Sequence, residues 1–403
     1  MVKIKLITIS EDKYSEYKLK AMFDCYKWDP YFLDNNTVAK HVLVISKEEH
    51  EKLKKYTEDL DKETRNAEVF LNNHLEYIKP LALPRGIRKD VRNMTNYDEH
   101  KNIRLMRYDF HPVIDGDFMI SEVNSDVPGG FAESSLLPQL AIETIQANNC
   151  GFVNFGDILV NAITSKTKKN GNIMLVHCTS YSDDRQVMQF LGDKLQKLGY
   201  NVLYGAADHV IFKDKQAYSI LSGNECMLDA IIRFTPLEWM IGVKPKRWGG
   251  YFDSITPQCN HPIAIYAQTK RFPLVWDILE KNNISMSTWR KLLPNTVEVK
   301  DAKGKEGYIF KPACGRVGEN ISIKEACSKN EYNKILRDVW LHPKNYLAQK
   351  RFISRPIKAD NGEEFHVCLG SYSVDGKHAG YYARLSKLPR IDSNAQDVPV
   401  IIE

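Results

Sequence analysis

The sequence lacks the features that mark membrane-spanning, disulfide-rich and zinc-binding proteins. Its 403 residues include eight cysteines, none in a CxxC pair, and no histidine stands at zinc-ligand spacing from a cysteine pair. No segment reaches the roughly 18 uncharged apolar residues that a membrane span needs. Lys3 and Lys5 interrupt any apolar run at the N-terminus. We therefore expect a cytoplasmic protein with reduced thiols and no membrane partner.

A strong excess of one charge is also missing. The chain has 56 Lys and Arg against 51 Asp and Glu, a formal charge of +5. So small an excess argues against nucleic acid as a partner. Residues that can form a hydrophobic core are abundant, at 43% of the chain. This composition excludes a disordered chain. The length predicts two or three packed units and leaves the oligomeric state open.

Residue patterning predicts three regions and a mixed fold class, α+β with α/β. Residues 1–95 are rich in Lys and Glu, and residues 48–78 carry apolar residues at helical spacing, which predicts a helical N-terminal region. Residues 96–255 contain NIMLVHC, SDDRQVMQFLGDKLQKLG and NVLYGAAD, a strand–helix–strand order typical of an α/β domain. Residues 256–403 hold two hairpin-like units, 307–323 and 363–386, the second with an Asp-Gly turn.

Four polar residues are predicted to converge where IRLMRYDF and DFMISEVN form a hairpin. Side chains two apart on a strand share a face, so Arg107 and Asp109 would meet Glu122 and Asn124. Their carboxylate and amide oxygens suit Mg²⁺ bound together with phosphates, and the guanidinium could offset developing negative charge. A surface ion pair is the alternative interpretation. The turn-rich loop SDVPGGFAESS that follows favours a functional site.

Lysines farther along the chain indicate an anion site. GYIFKPACGRVGEN is a strand ending at Lys311 before glycines whose N–H groups can approach phosphate oxygens. It is not a Walker A motif, because the lysine precedes the glycines. Lys270 stands at a predicted helix start, where N–H groups also favour anions. The strand ending in QKRF could lay its backbone along an adenine edge. Taken singly, each segment also fits an exposed hairpin, a solvated lysine or an edge strand.

Together these segments resemble the synthetase domain of the glutathionylspermidine synthase family, which has an ATP-grasp fold. Similar segments run in order over roughly residues 100–400: RYDF…SEVNSDVPGGFAES, DAIIRFTPLEWM, KRFPLVWDIL, KPACGRVGENI and HAGYYARLS. KPACGRVGENI, similar to that family's KPxxGRxGxNI loop, is the most specific. The resemblance implies that residues 96–255 form a pre-ATP-grasp domain carrying the Mg-binding hairpin. It implies that residues 256–403 form the ATP-grasp nucleotide-binding domain.

The resemblance also implies a role for each matching residue. Arg107 would stabilise the transition state, and Asp109, Glu122 and Asn124 would bind Mg²⁺. The residues implied in nucleotide binding are Lys270, Lys311, Val317, Gly318, Gln349, Lys350, Arg351, Phe352 and Arg384.

The implied activity is ATP-dependent formation of an amide through an acyl phosphate, with ATP and Mg²⁺ as cofactors. A small-molecule or peptide carboxylate and an amine would be the substrates. Val127 stands where a serine that contacts glutathione is expected, so the substrates are implied only as classes. Two alternatives stay open: a kinase or phosphotransferase on the same scaffold, and a non-catalytic nucleotide sensor. A sensor would need the lysine but not the metal-binding set.

Overall fold

Helices and strands alternate along the chain in a computed structural model that describes residues 3–221, 223–240, 248–315 and 321–403. The α-helices are α1 (Glu11–Phe23), α2 (Lys47–Asn73), α3 (Arg85–Asp90), α4 (Leu137–Ile145), α5 (Phe155–Lys166), α6 (Ser182–Lys197), α7 (Leu237–Met240), α8 (Gly250–Asp253), α9 (Ile265–Gln268), α10 (Trp276–Lys281), α11 (Ser287–Leu292) and α12 (Lys329–Leu341). The strands are β1 (Ile4–Thr8), β2 (Tyr31–Phe32), β3 (Asn35–Asn36), β4 (His41–Ile45), β5 (Leu105–Pro112), β6 (Phe118–Asn124), β7 (Asn172–Val176), β8 (Asn201–Gly205), β9 (Val210–Lys213), β10 (Gln216–Ser219), β11 (Cys226–Met227), β12 (Ala230–Arg233), β13 (Gln258–Cys259), β14 (Thr296–Val297), β15 (Tyr308–Pro312), β16 (Tyr346–Lys350), β17 (Ile357–Lys358), β18 (Glu364–Val374), β19 (Lys377–Ser386), β20 (Gln396–Val398) and β21 (Val400–Ile402).

Helix α2 covers one face of the central sheet, which contains β5, β6 and β17 to β20. Its N-terminus is capped by Ser46, whose hydroxyl accepts a hydrogen bond from the Glu49 N–H, the arrangement that an S-x-x-E sequence predicts. Its buried residues recur every three or four positions, which is the spacing of one helix face. They include Leu53, Thr57, Leu60, Thr64, Ala67 and Leu71. The helix packs on β18 and β19, where the hydroxyls of Thr57 and Ser371 are hydrogen-bonded.

The N-terminal region is not purely helical, so that prediction needs correction. Strands β1 and β4 pair in antiparallel fashion, and β21 from the end of the chain lies parallel to β4. Local helical spacing dominates this region, but the short runs IKLIT and HVLVI become strands because a distant strand completes their sheet. The division at residues 95 and 255 stays a prediction, and strand pairing crosses both positions.

The central sheet joins segments far apart in the chain. Its order is β20-β19-β18-β5-β6, with β17 also paired to β18, so the β5–β6 hairpin lies beside strands that follow it by more than 200 residues. A second sheet, β13-β12-β7-β8, is parallel. Helix α6 connects β7 to β8 there, which confirms the predicted strand–helix–strand unit. The fold is mixed α/β with several sheets.

The two predicted hairpins have different outcomes. Strands β18 and β19 form the second one, and Asp375 and Gly376 make its turn with φ of 49° and 89°, the positive values that a type I′ turn requires. In the first, β15 pairs with β16 rather than with a strand of its own segment. Part of that segment, 316–320, lies outside the described residues, and Ser322 bonds back to Phe310 through two hydrogen bonds.

Candidate active site

The β5–β6 hairpin carries polar residues on one face and core residues on the other. Met106, Tyr108 and Phe110 are fully buried on the face toward α2, as the alternation predicts. Arg107 pairs with Asn124 across the hairpin, and the register then shifts at a bulge between Tyr108 and Phe110. Bulges often re-aim side chains at functional sites. The polar face therefore presents residues of both strands toward one volume.

Arg107, Asp109 and Asn124 form a hydrogen-bonded cluster on this face. The Arg107 guanidinium donates to both carboxylate oxygens of Asp109, at 2.7 and 3.1 Å. The Asn124 side-chain amide donates to Asp109 Oδ2 at 3.0 Å. A third guanidinium bond, of 3.0 Å, reaches the carbonyl of Gly129 in the loop after β6. Because Asn124 donates through Nδ2, its carbonyl oxygen is left for another partner.

Glu122 is close to two lysines, Lys270 and Lys311, that come from different parts of the chain. Lys270 Nζ is 2.9 Å from Glu122 Oε2 and also donates to the Gly315 carbonyl at 2.9 Å. Lys311 donates to the Ser121 carbonyl at 3.1 Å. Burial raises the pKa of Glu122, but the charges of Lys270 and Lys311 outweigh that effect and lower it. Burial lowers the pKa of Lys311 to about 8. An extra anion would stabilise both ammonium groups.

A cavity opens beside Glu122 and Lys311. Its lining is mixed: it includes the charged residues Asp109, Glu122, Lys311 and Arg384 and the apolar residues Ile309, Ile321, Ile323, Phe352 and Ile391. Among the described residues Lys311 and Arg384 form no ion pair, and Arg384 Nε is buried without a hydrogen-bond partner. A lining that combines cations with apolar side chains suits a ligand that has a polyanionic part and a flat apolar part.

Six of the thirteen predicted site residues line this cavity: Asp109, Glu122, Lys311, Arg351, Phe352 and Arg384. Arg107 and Asn124 contact Asp109, and Lys270 contacts Glu122, without lining the cavity themselves. Arg351 and Phe352 line it, whereas Lys350 is exposed and Gln349 is buried against Thr296. Val317 and Gly318 lie outside the described residues. The roles assigned to all of these side chains stay predictions.

Sequence reasoning missed His111, which also lines the cavity. Burial lowers the pKa of this imidazole to about 4, so the ring is neutral at physiological pH. Its Nε2 is 3.0 Å from Ser121 Oγ, and the ring centre is 5.3 Å from that of Phe352. The signal that could have found it is its position two residues after Asp109, on the same strand face.

The predicted magnesium ligands fit Mg²⁺ by chemical type. Within the described ranges no group of three or more His, Cys, Asp or Glu side chains could hold a metal ion. The set of Asp109, Glu122 and Asn124 supplies two carboxylates and one amide oxygen, which are hard donors. Both carboxylates are paired with cations, Asp109 with Arg107 and Glu122 with Lys270. Mg²⁺ here would share them and complete its shell with phosphate oxygens and water.

The chain belongs to the glutathionylspermidine synthase preATP-grasp family, whose model matches residues 13–403. This confirms the resemblance seen in the sequence and extends it over most of the N-terminal region. Family membership supports a ligase-type function.

Among solved structures, a glutathione synthetase-like effector from Globodera pallida, in its apo form, has a similar fold. The TM-score is 0.60 at 11% identity, over 98% of this chain and 99% of that one. A protein named as a gamma-glutamylcysteine synthetase from Methylobacillus flagellatus KT gives a TM-score of 0.40 at 11% identity, over 84% and 86% of the two chains. No curated protein sequence is significantly similar. Within the described ranges, every helix is too short or too polar to cross a membrane.

Proposed function

We propose that the chain is an ATP-dependent, ADP-forming ligase of the ATP-grasp type that joins a carboxylate to an amine. The observation that carries the proposal is a cavity whose lining combines cations with apolar side chains. Lys311 and Arg384 line it and have no ion-pair partner among the described residues, and Phe352 and four isoleucines, Ile309, Ile321, Ile323 and Ile391, line it as well. A nucleoside triphosphate combines a polyanion with a flat base.

The cationic side chains suit the two stages of amide formation. A substrate carboxylate attacks the terminal phosphate of ATP, and the amine then displaces phosphate from the acyl group. Lys270 and Lys311 would bind the phosphates, and Arg107 would stabilise the negative charge that develops on the transferred group. Asp109, Glu122 and Asn124 would hold Mg²⁺, which offsets phosphate charge when bound with the nucleotide.

A screen for ADP release tests this function. The chain is incubated with ATP and Mg²⁺ against a matrix of carboxylates and amines, peptides included, and product masses are measured. A ligase releases ADP only when acid and amine are both present, and the product contains the two joined by loss of water. ADP formed with a single co-substrate and a stable phosphorylated product would instead establish a kinase.

A Glu122→Gln variant sharpens the test because it removes one charge while keeping the side-chain shape. The carboxylate lies between two buried lysines and is a proposed metal ligand. We expect Mg²⁺-dependent turnover to fall about 10²-fold or more, with a far-ultraviolet circular dichroism spectrum like that of the wild type. Wild-type turnover in this variant would disprove the metal assignment.

A further inference from the structure

Tyr382 is an aromatic neighbour of Arg107 and has no role in the function proposed above. Arg107 lies on β5 and Tyr382 on β19, and strand β18 runs between these two strands in the central sheet. The Cζ atom of the Arg107 guanidinium is over the Tyr382 ring, 4.9 Å from the ring centre. The face of an aromatic ring carries partial negative charge, so it attracts a cation at this distance. Tyr382 therefore contacts the arginine to which the proposed function assigns stabilisation of the transition state.

A glycine on the strand between them allows this contact. Gly370 on β18 pairs with Asp109 on one side and with Tyr382 on the other. A Cβ atom at position 370 would come 2.7 Å from Cδ and 2.8 Å from Nε of Arg107, which is closer than such atoms can approach. The Arg107 side chain therefore crosses β18 over Gly370 and ends at the Tyr382 ring.

The Tyr382 ring is itself fixed in place by the N-terminal region. Its hydroxyl donates to Asp397 Oδ1 at 2.6 Å, and Asp397 Oδ2 is 2.9 Å from Nζ of the buried Lys27. The backbone of Asp397 is held as well, since its N–H donates to the Thr37 carbonyl at 2.7 Å and its carbonyl accepts from the Ala39 N–H at 2.9 Å. Residues of the N-terminal region thus hold the tyrosine through one aspartate.

The loop after β6 contacts both the arginine and the tyrosine. Arg107 donates to the Gly129 carbonyl at 3.0 Å, and the Tyr382 ring packs on Gly130, where a Cβ atom would come 2.5 Å from the ring atom Cδ2. The hydrogen bonds from Arg107 to Asp109 and Gly129 lie in the guanidinium plane, because the N–H groups lie in that plane. They restrict movement out of the plane only weakly. The ring blocks movement toward its own side, so ring and hydrogen bonds together define one position for the guanidinium.

We propose that Tyr382 is a positioning residue, which holds the Arg107 guanidinium where negative charge develops on the transferred phosphoryl group. This inference rests on the proposed ligase function. A guanidinium displaced by about 1 Å stabilises that charge much less, because electrostatic stabilisation needs donors fixed in advance. Tyr382 affects turnover only through Arg107.

A double-mutant cycle tests this role by introducing Tyr382→Leu into the wild type and into Arg107→Ala. Leucine removes the ring and keeps an apolar side chain. The assay is ADP release with a carboxylate and amine found active in the screen described above. We expect Tyr382→Leu to lower kcat about 10- to 10²-fold in the wild type and less than about twofold in Arg107→Ala.

A merely structural role of Tyr382 would lower kcat in both backgrounds. A loss that persists without Arg107 would therefore overturn the proposal. It would show that the ring acts on another group, such as Arg384, whose Cζ is 6.0 Å from the ring centre.

Two further variants serve as a conservative replacement and a matched control. Tyr382→Phe keeps the ring and loses the bond to Asp397, so we expect kcat to fall only about three- to tenfold, and again only where Arg107 is present. Tyr204→Leu removes the ring of a similar pair, in which Arg185 on α6 lies 4.1 Å from the Tyr204 ring centre on β8, and should leave kcat unchanged. A Tyr382→Phe variant as slow as Tyr382→Leu would show that the ring does not hold Arg107 and would overturn the proposal.

An NMR measurement without substrates separates this assignment from the ligase function. The ligase function fails if the wild type releases no ADP with any carboxylate and amine, but the order of Arg107 can still be measured. The heteronuclear NOE of its Nε–H group, whose signal is identified by its loss in Arg107→Ala, reports motion on the ps–ns timescale. We expect this NOE to fall in Tyr382→Leu and to stay unchanged in Tyr204→Leu. Equal values in the wild type and Tyr382→Leu would refute the role of Tyr382.

Discussion

Two arginines three residues apart, Arg104 and Arg107, lie on opposite sides of the same sheet and are both buried. Arg104 faces helix α2, where Glu68 accepts from its Nε at 2.9 Å and from a terminal nitrogen at 2.5 Å. Ser125 and the Leu105 carbonyl accept the remaining bonds. Arg107 pairs with Asp109, which is only two residues away and lines the cavity.

The difference lies in how the charge around each arginine is balanced. The Arg104–Glu68 pair is one cation with one anion, and its hydrogen bonds come from helix, strand and loop. On the cavity side Asp109 pairs with Arg107 and Glu122 with Lys270, and among the described residues the cations Lys311 and Arg384 have no further carboxylate as an ion-pair partner. A balanced buried pair holds elements of the fold together. A buried surplus of positive charge has a cost that a bound anion relieves.

The largest expected effect is on the α2 side. Removal of the carboxylate in Glu68→Ala leaves the Arg104 guanidinium buried without its anion, and we expect the free energy of unfolding to fall by about 3–5 kcal/mol. Urea unfolding followed by circular dichroism measures this. Lys55→Ala, which breaks an exposed pair with Asp59, is the control and should cost less than about 1 kcal/mol. Similar losses of unfolding free energy in the two variants would show that the buried pair stabilises the fold no more than the exposed pair does.

A somewhat smaller effect, on catalysis, is expected on the cavity side. Arg107→Ala should lower kcat about 10²- to 10³-fold with little change in the KM for ATP, because the guanidinium acts on charge that develops in the transition state. ADP release at varied ATP concentration measures both constants. A rise in the KM for ATP alone would instead assign Arg107 to nucleotide binding. A loss of unfolding free energy as large as that of Glu68→Ala would show that Arg107, like Arg104, stabilises the fold.

The smallest effect is a pH dependence at Lys311, whose pKa burial lowers to about 8. In the unfolded chain a lysine stays charged to about pH 10.4. The cost of burying its charge is therefore present below pH 8 and is relieved as the pH rises from 8 to 10.4, so stability increases over that range. Phosphate binding weakens over the same range, because the lysine becomes neutral.

Calorimetric titration with ATP at several pH values measures the effect. The Kd for ATP should increase above pH 8 by up to about tenfold per pH unit. Lys311→Arg keeps its charge throughout, so its Kd should change much less with pH. An identical pH dependence in both proteins would show that Lys311 does not bind the nucleotide.

Much of the candidate site follows from local patterns. Alternation along β5 and β6 places Arg107 and Asp109 on one face and buries Met106 and Tyr108 on the other, since a strand has a period of two whatever surrounds it. The Asp375-Gly376 turn is equally local, because few residues adopt positive φ at both positions. The family motifs identified Lys270 and Lys311 as further candidate site residues. Their separation along the chain does not predict how close they are in space.

Other features depend on contacts that no local pattern contains. Glu122 meets Lys270 across 148 positions of the chain, and Arg104 meets Glu68 across 36. The bulge that re-aims β6 against β5 arises from how the two strands pair. Ser125 likewise contacts Arg104 and Gln268 only because packing brings them together.

The amino-acid sequence by itself determined which side chains share a strand face, where the β18–β19 turn falls and to which family the chain belongs. Those properties arise from backbone geometry and short motifs, which act over a few residues. The tertiary structure decided that Arg104 is balanced by Glu68, while Lys311 and Arg384 at the cavity have no ion-pair partner in the part of the chain that the structure describes. Charge balance around a buried group depends on every element packed against it, and those elements come from distant parts of the chain.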